Sequence, residues 1–214
     1  MTYIGNVKVK GVKKDKPKLV NEDNFVLPFY QNKKTLKSLD NLNKFIKGVE
    51  RLVRTNSRYD RYKHWLMEEK GLDFCQIHPN IKADDAPLEM HHGPILTLYD
   101  ICTIIVNALL ERGYKDLTTF KVAKIVLDEH FEHNLPVVML CEDCHDIFHS
   151  GGYIYINPKQ SFGNLKRFLK KWRDGIDKEM EMIIEKNLKI AKECESNDNG
   201  VLTASAGKSW NGLK

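Results

Sequence analysis

The sequence is short of several features that would decide its class early. No apolar run approaches the roughly 18 consecutive residues that a membrane span needs. The opening "MTYIGNVKVKGVKKDKPKLV" is rich in lysine but has no apolar core segment, so it is not a secretory signal. There is no internal repeat and no low-complexity block. Cysteines number only five in 214 residues, an odd and sparse set that argues against a disulfide framework. These gaps point to a soluble protein of the cytoplasm, with no membrane partner. In such a reducing compartment a tight C-x2-C is better read as a metal knuckle.

A hydrophobic fraction of 42% is ordinary for a globular chain and sufficient for a core. The length suits one domain with an appendage, or two small domains. Formal net charge is +5. Residues 1–20 carry six lysines against one aspartate, which suits a basic arm and equally a solvated tail. Four segments are expected: a basic arm over 1–34, a folded domain over 35–163, an amphipathic helix over 164–194 and a disordered tail over 195–214. The fold class predicted is α+β, mainly helical.

Within the domain, Leu36, Leu39, Leu42, Phe45, Ile46, Val49, Leu52 and Val53 recur at helical spacing. They predict a first N-terminal helix, followed after "RTNS" by a second that Ser57 would cap and Gly71 would end. "LEMHHGP" reads as a strand. Two helices follow, "LYDICTIIVNALLERG" and "TTFKVAKIVLDEHFEHN", the latter capped by Thr118 or Thr119. "LPVVML" is a second strand, and "CEDCHDIFHS" a turn and helix stopped by Gly151-Gly152. A single long helix is expected from residue 164 to 194, with Leu165, Phe168, Leu169, Trp172, Ile176, Met180, Ile183, Ile184, Leu188 and Ala191 as its stripe. Lys166, Arg167, Lys170 and Lys171 near its start are a wet helix face or a phosphate-facing surface.

The residues that carry chemistry are few. His91 and His92 are adjacent at a strand end. His145 and His149 stand at i, i+4, so on a helix they share a face and can chelate one cation. Adjacent histidines could also be a hydrogen-bonded strand end, and His-x3-His by itself is common on solvated helices. Cys141 and Cys144 immediately precede His145. One site using Cys141, Cys144, His145 and His149 together is sterically poor, because consecutive side chains diverge by about 100° on a helix. Nor does a thioredoxin-like βαβ pattern surround the C-x2-C to support a redox role.

The order of these residues (strand with His-His, long connection, Asn134, strand, helix with His-x3-His) resembles the HNH, or His-Me finger, nucleases. The closest likeness is to the branch exemplified by colicin DNases. A weaker likeness over about 50–172, in "RLVRTNSRYDRYKHWL", "LEMHHGPILTLYDI", "CHDIFHSGG" and "FGNLKRFLKKW", is to bacteriophage-encoded HNH-like proteins. The connection from His92 to Asn134 is longer than in a minimal HNH motif, because two helices are inserted.

The resemblance implies a ββα-metal core and a metal-dependent endonuclease hydrolysing phosphodiester bonds of nucleic acid, DNA foremost. His91, His145 and His149 would hold the catalytic divalent ion (Mg2+, Mn2+, Ni2+ or Zn2+) and His92 would be the general base. Asn134 would hold the connecting loop so that a backbone carbonyl orients the His92 ring, and His130 would line the site. It also implies a structural Zn2+ on Cys75, His78, Cys141 and Cys144. If phage-encoded, the protein would act in the host cytoplasm. The alternative is a catalytically worn, zinc-stabilised binding or scaffold protein of a bacteriophage. The 164–194 helix would then bind a protein partner or a second copy of the chain. His64 reads as structural, His133 as a helix-surface residue, Cys102 as a small core residue and Cys194 as an exposed thiol.

Overall fold

The computed structural model describes residues 31–32, 36, 38–150, 154–196 and 202–203. Nearly all of the basic arm, Gly151-Gly152 and most of the tail lie outside the described residues, as does the Cys194 side chain. In chain order the elements are β1 (Gln31–Asn32), α1 (Leu39–Arg54), α2 (Ser57–Lys70), β2 (Leu88–His92), α3 (Leu98–Glu111), β3 (Asp116–Leu117), α4 (Thr119–Phe131), β4 (Val137–Cys141), α5 (Glu142–His149), β5 (Ile154–Tyr155), α6 (Leu165–Lys171), α7 (Lys178–Ser196) and β6 (Leu202–Thr203). The fold is α+β and mainly helical.

Its centre is the antiparallel pair β2–β4, with His91 opposite Val138 and His92 opposite Val137. All five β4 residues are buried, as expected of a strand covered on both faces. One face carries α5, which follows β4 without a loop. The other is turned towards α2 and α4. The helices expected between the two strands are α3 and α4. Eight of the fourteen residues of α3 are buried, Cys102 among them, so it runs through the core rather than along it. Its start is fixed by a capping box in which Thr97 and Asp100 satisfy each other's backbone N–H groups.

Helix α1 buries Phe45, Ile46, Val49 and Val53, the predicted spacing, whereas Leu39 is exposed and outside that stripe. The break before α2 falls where "RTNS" put it, but Asn56 rather than Ser57 is the cap, its side chain accepting from the Arg58 N–H.

The expected continuous helix over 164–194 is instead two helices, α6 and α7, separated by a 3-10 turn over Arg173–Gly175. Gly175 explains the break. A Cβ there would lie 1.9 Å from the Ile104 carbonyl oxygen and 2.7 Å from the Ala108 nitrogen, so the chain passes directly against the α3 backbone. Asp177 then restarts the helix by accepting from the Met180 N–H. The apolar periodicity runs across the break because both helices bury their stripes, including Phe168, Met180, Ile184 and Ala191, in the same core.

Candidate metal centre

The hairpin and α5 gather seven side chains into two clusters. The first is Cys75, His78, Cys141 and Cys144, and the second is His91, His145 and His149. In each, one ligand atom per residue lies within 4.8 Å of the others. The four cysteines whose side chains are described are free thiols.

The Cys75 loop is built for its task by backbone bonds. The Cys75 N–H donates to Ile81 O at 2.8 Å, and the His78 N–H points at Cys75 Sγ at 3.4 Å. Gln76 pins this loop to the second strand. Its N–H donates to Met139 O at 2.9 Å, and its Oε1 accepts from the Met139 N–H at 2.8 Å. The sequence gives no signal for Gln76; a buried glutamine between ligands is visible only once β4 lies beside it.

Cys141 is the N-cap residue of α5 and Cys144 sits one turn in, its Sγ 3.4 Å from His78 Nδ1. Burial opposes ionisation of Cys75, but N–H groups of Cys141, His78 and Ile77 outweigh it and hold that thiol below its ordinary value. Burial pushes the Cys144 thiol up, and its Cys141 and Cys75 neighbours add to the shift. Three sulfurs and one imidazole nitrogen are the closed donor set that zinc favours.

In the second cluster His91 projects from β2 towards α5, with ring centroids 5.4 Å from His145 and 5.2 Å from His149. The Nε2 atoms of His145 and His149 are 3.2 Å apart, about the spacing of two ligands on one tetrahedral ion. His91 Nε2 is buried and has no hydrogen-bond partner among the described residues. An orphaned buried acceptor is costly unless something occupies it, and here it sits beside two more imidazoles. Burial drives the His91 pKa down to about 3, with His145, His149 and Arg54 contributing, so the ring is neutral and ready to ligate. His145 is likewise lowered by burial. Glu89, unremarked in the sequence, places Oε2 3.8 Å from His145 Nδ1, behind the ligand. His149 is exposed, so the cluster is open on one side.

His92 goes elsewhere. Neighbours on a strand point to opposite faces, so with His91 facing α5, His92 faces α2 and α4. It is 4% exposed, its ring stacks beside Tyr59, and its Nε2 lies 2.8 Å from His130 Nε2. Burial holds it well below the usual histidine range. The ring is thus oriented by a histidine rather than by the backbone carbonyl that the resemblance implied. Asn134 is fully buried and braces the end of α4, its Nδ2 donating to Glu129 Oε2 at 2.6 Å and to Glu132 Oε2 at 3.1 Å. His130 is fully buried against His92, as a residue lining the interior behind the hairpin. His133, expected on a helix surface, ends α4 with φ 57° and stacks on Trp65 at 4.6 Å, 5° from parallel. His64 is an exposed neighbour of Asp60.

Among the basic residues of α6, Lys166, Arg167 and Lys170 are exposed. Lys171 is committed: its Nζ is 2.6 Å from Glu129 Oε1 and 2.8 Å from Glu132 Oε2. Its charge sits against a carboxylate that is 1% exposed, where a charge without a partner is costly to bury.

Residues 4–205 match the model of a family described as bacteriophage G278-like virion proteins. The chain belongs to that family. This supports the phage side of the likeness read in its sequence. No curated protein and no solved structure matches the chain. The described helices include none long and apolar enough to cross a membrane.

Proposed function

We propose that the protein is a metal-stabilised binding or scaffold component of a phage particle, built on a ββα-metal frame that keeps its ion sites. The particle is suggested by the family's description as virion proteins. What favours binding over hydrolysis is the placement of His92, which is sealed between Tyr59 and His130 on the face of the hairpin turned away from the three-histidine cluster. A general base must reach the water it deprotonates, within hydrogen-bond distance or through one water. Zinc on Cys75, His78, Cys141 and Cys144 would tie the loop before β2 to the start of α5. An ion on His91, His145 and His149 would tie the other end of α5 to β2. Three imidazoles suit zinc, nickel or copper better than magnesium, which prefers oxygen ligands.

The partner surface in this reading is α7, where Met182 and Ile190 remain 62% and 41% exposed while Met180, Ile184 and Ala191 face the core. The test is direct. Purified particles, probed by mass spectrometry, should contain the chain, and the recombinant protein should carry zinc yet leave plasmid intact with magnesium, manganese, nickel or zinc. Metal-dependent cleavage that disappears in His92→Ala would overturn the proposal.

A second reading, a metal-dependent nuclease, is favoured by the opening of the three-histidine cluster to solvent at His149. An ion there would act as a Lewis acid on a phosphoryl oxygen. Lys166, Arg167 and Lys170 would supply contacts to DNA backbone phosphates, and such binding should weaken steeply with salt.

A further inference from the structure

Behind the hairpin, the hydrogen bonds of two buried histidines fix where their protons are. His130 Nδ1 lies 2.7 Å from the Val126 carbonyl oxygen. A carbonyl only accepts, so Nδ1 carries a hydrogen, and a neutral His130 keeps its lone pair on Nε2. That lone pair faces His92 Nε2 at 2.8 Å. Two bare nitrogens at this distance would repel, so one of them must donate. His130 has already placed its hydrogen on Nδ1, and the donor is therefore His92 Nε2. His92 Nδ1 is then a bare acceptor, and it is buried without a hydrogen-bond partner among the described residues.

The surroundings keep both rings neutral and in place. His92 is 4% exposed and His130 fully buried, and an imidazolium in such a setting needs a paired counter-charge. Among the described residues, the two rings hydrogen-bond only to each other and to Val126 O. Tyr59 stacks on His92 with 22° between the planes and meets His130 edge-on at 80°, while Tyr62 meets His130 at 74°. Close-packed aromatic walls oppose the ring flip that would exchange the nitrogens.

We propose that His130 is a positioning residue that locks His92 in the tautomer with hydrogen on Nε2, leaving His92 Nδ1 as a bare, buried acceptor. The relay runs from His92 Nε2–H to His130 Nε2, and from His130 Nδ1–H to Val126 O. The inference goes beyond the proposed function and does not depend on it: the relay holds whether the chain binds or hydrolyses. In the hydrolytic reading, His92 Nδ1 is the nitrogen that would receive a proton, with His130 in place of a backbone carbonyl as its orienting group.

The test is long-range 1H–15N correlation spectroscopy on the 15N-labelled, zinc-loaded full chain at pH 7.5. Wild type should show His92 with hydrogen on Nε2 and a bare Nδ1, and His130 with the opposite pattern. His130→Gln, whose carbonyl can still accept, should keep the single His92 tautomer; His130→Leu should yield a mixture. A wild-type His92 that is mixed or protonated on Nδ1 overturns the proposal, as does a leucine variant with an unchanged His92 spectrum. Should the leucine variant fail to fold, the wild-type and glutamine spectra decide.

Discussion

His91 and His92 are consecutive, yet they serve opposite sides of one hairpin: the first lies 5.4 Å from His145 across the α5 face, the second 5.1 Å from His130 on the face towards α2 and α4. The pair therefore divides the molecule into a side that carries the three-histidine cluster and a packed interior.

The two ion sites should be separable. α5 has only eight residues, too few to hold a helix alone in water, and Cys144 is its one buried side chain. Two bound ions would therefore add substantially to the packing of Cys144 and Phe148 that holds it. Elemental analysis should find two ions per chain in the wild type. Cys141→Ser and His145→Ala should each lose one and keep the other. Retention of both ions in either variant would count against two sites.

Chelation should loosen α5 first. In the proposed reading, removing both ions would take away the two ties of α5 to β2 and to the Cys75 loop. Hydrogen exchange should rise over 142–149 while α3, buried along most of its length, stays protected. The melting temperature should fall and recover with added zinc. Equal protection with and without chelator would contradict this.

Stability should fall in mild acid, and His130 should be one cause. Burial lowers its pKa to about 4, although the Val126 carbonyl raises it slightly. The unfolded chain, with a histidine pKa near 6.5, takes up the proton first, so stability is full above that value and declines as pH drops from about 6.5 towards 4. The slope for one proton is about 1.4 kcal/mol per pH unit. Urea unfolding between pH 7.5 and 5 should show a shallower pH dependence for His130→Gln than for wild type; identical slopes would exclude His130 as a contributor.

Lys171→Met should be costly for a surface substitution. It leaves Glu129, 1% exposed, without its cation. Breaking a fully buried pair costs about 3–5 kcal/mol; with the lysine 40% exposed, about 2–3 kcal/mol is expected. Adding Glu129→Gln should restore part of the loss in chemical denaturation. A loss under about 0.5 kcal/mol, the range of an ordinary surface change, would show that water screens the pair.

Gly163→Ala should disturb the α6 side of the same region. Its φ is 125°, and a Cβ would lie 2.1 Å from Leu135 O, next to Asn134. A drop of at least about 2 kcal/mol is expected from strain and backbone clash together. Circular dichroism melts would register it.

Local patterns were legible because they are local. Helical spacing in α1, the capping residue Thr118, and the i, i+4 relation of His145 and His149 depend only on near neighbours in the chain, so the sequence by itself determined them. The grouping of Cys75 and His78 with Cys141 and Cys144 came from the resemblance to HNH proteins rather than from spacing, and the structure brings the four side chains together. Where the long C-terminal stripe breaks was decided by the approach of Gly175 to the Ile104 carbonyl, a contact 71 positions away in sequence. The tertiary structure likewise decided that Lys171 is bound to Glu129 and that His92 is turned inward to His130. A strand's alternation says that adjacent histidines part company; only the packing of α2, α4 and α5 around the hairpin says that His91 joins His145 and His149 while His92 joins His130.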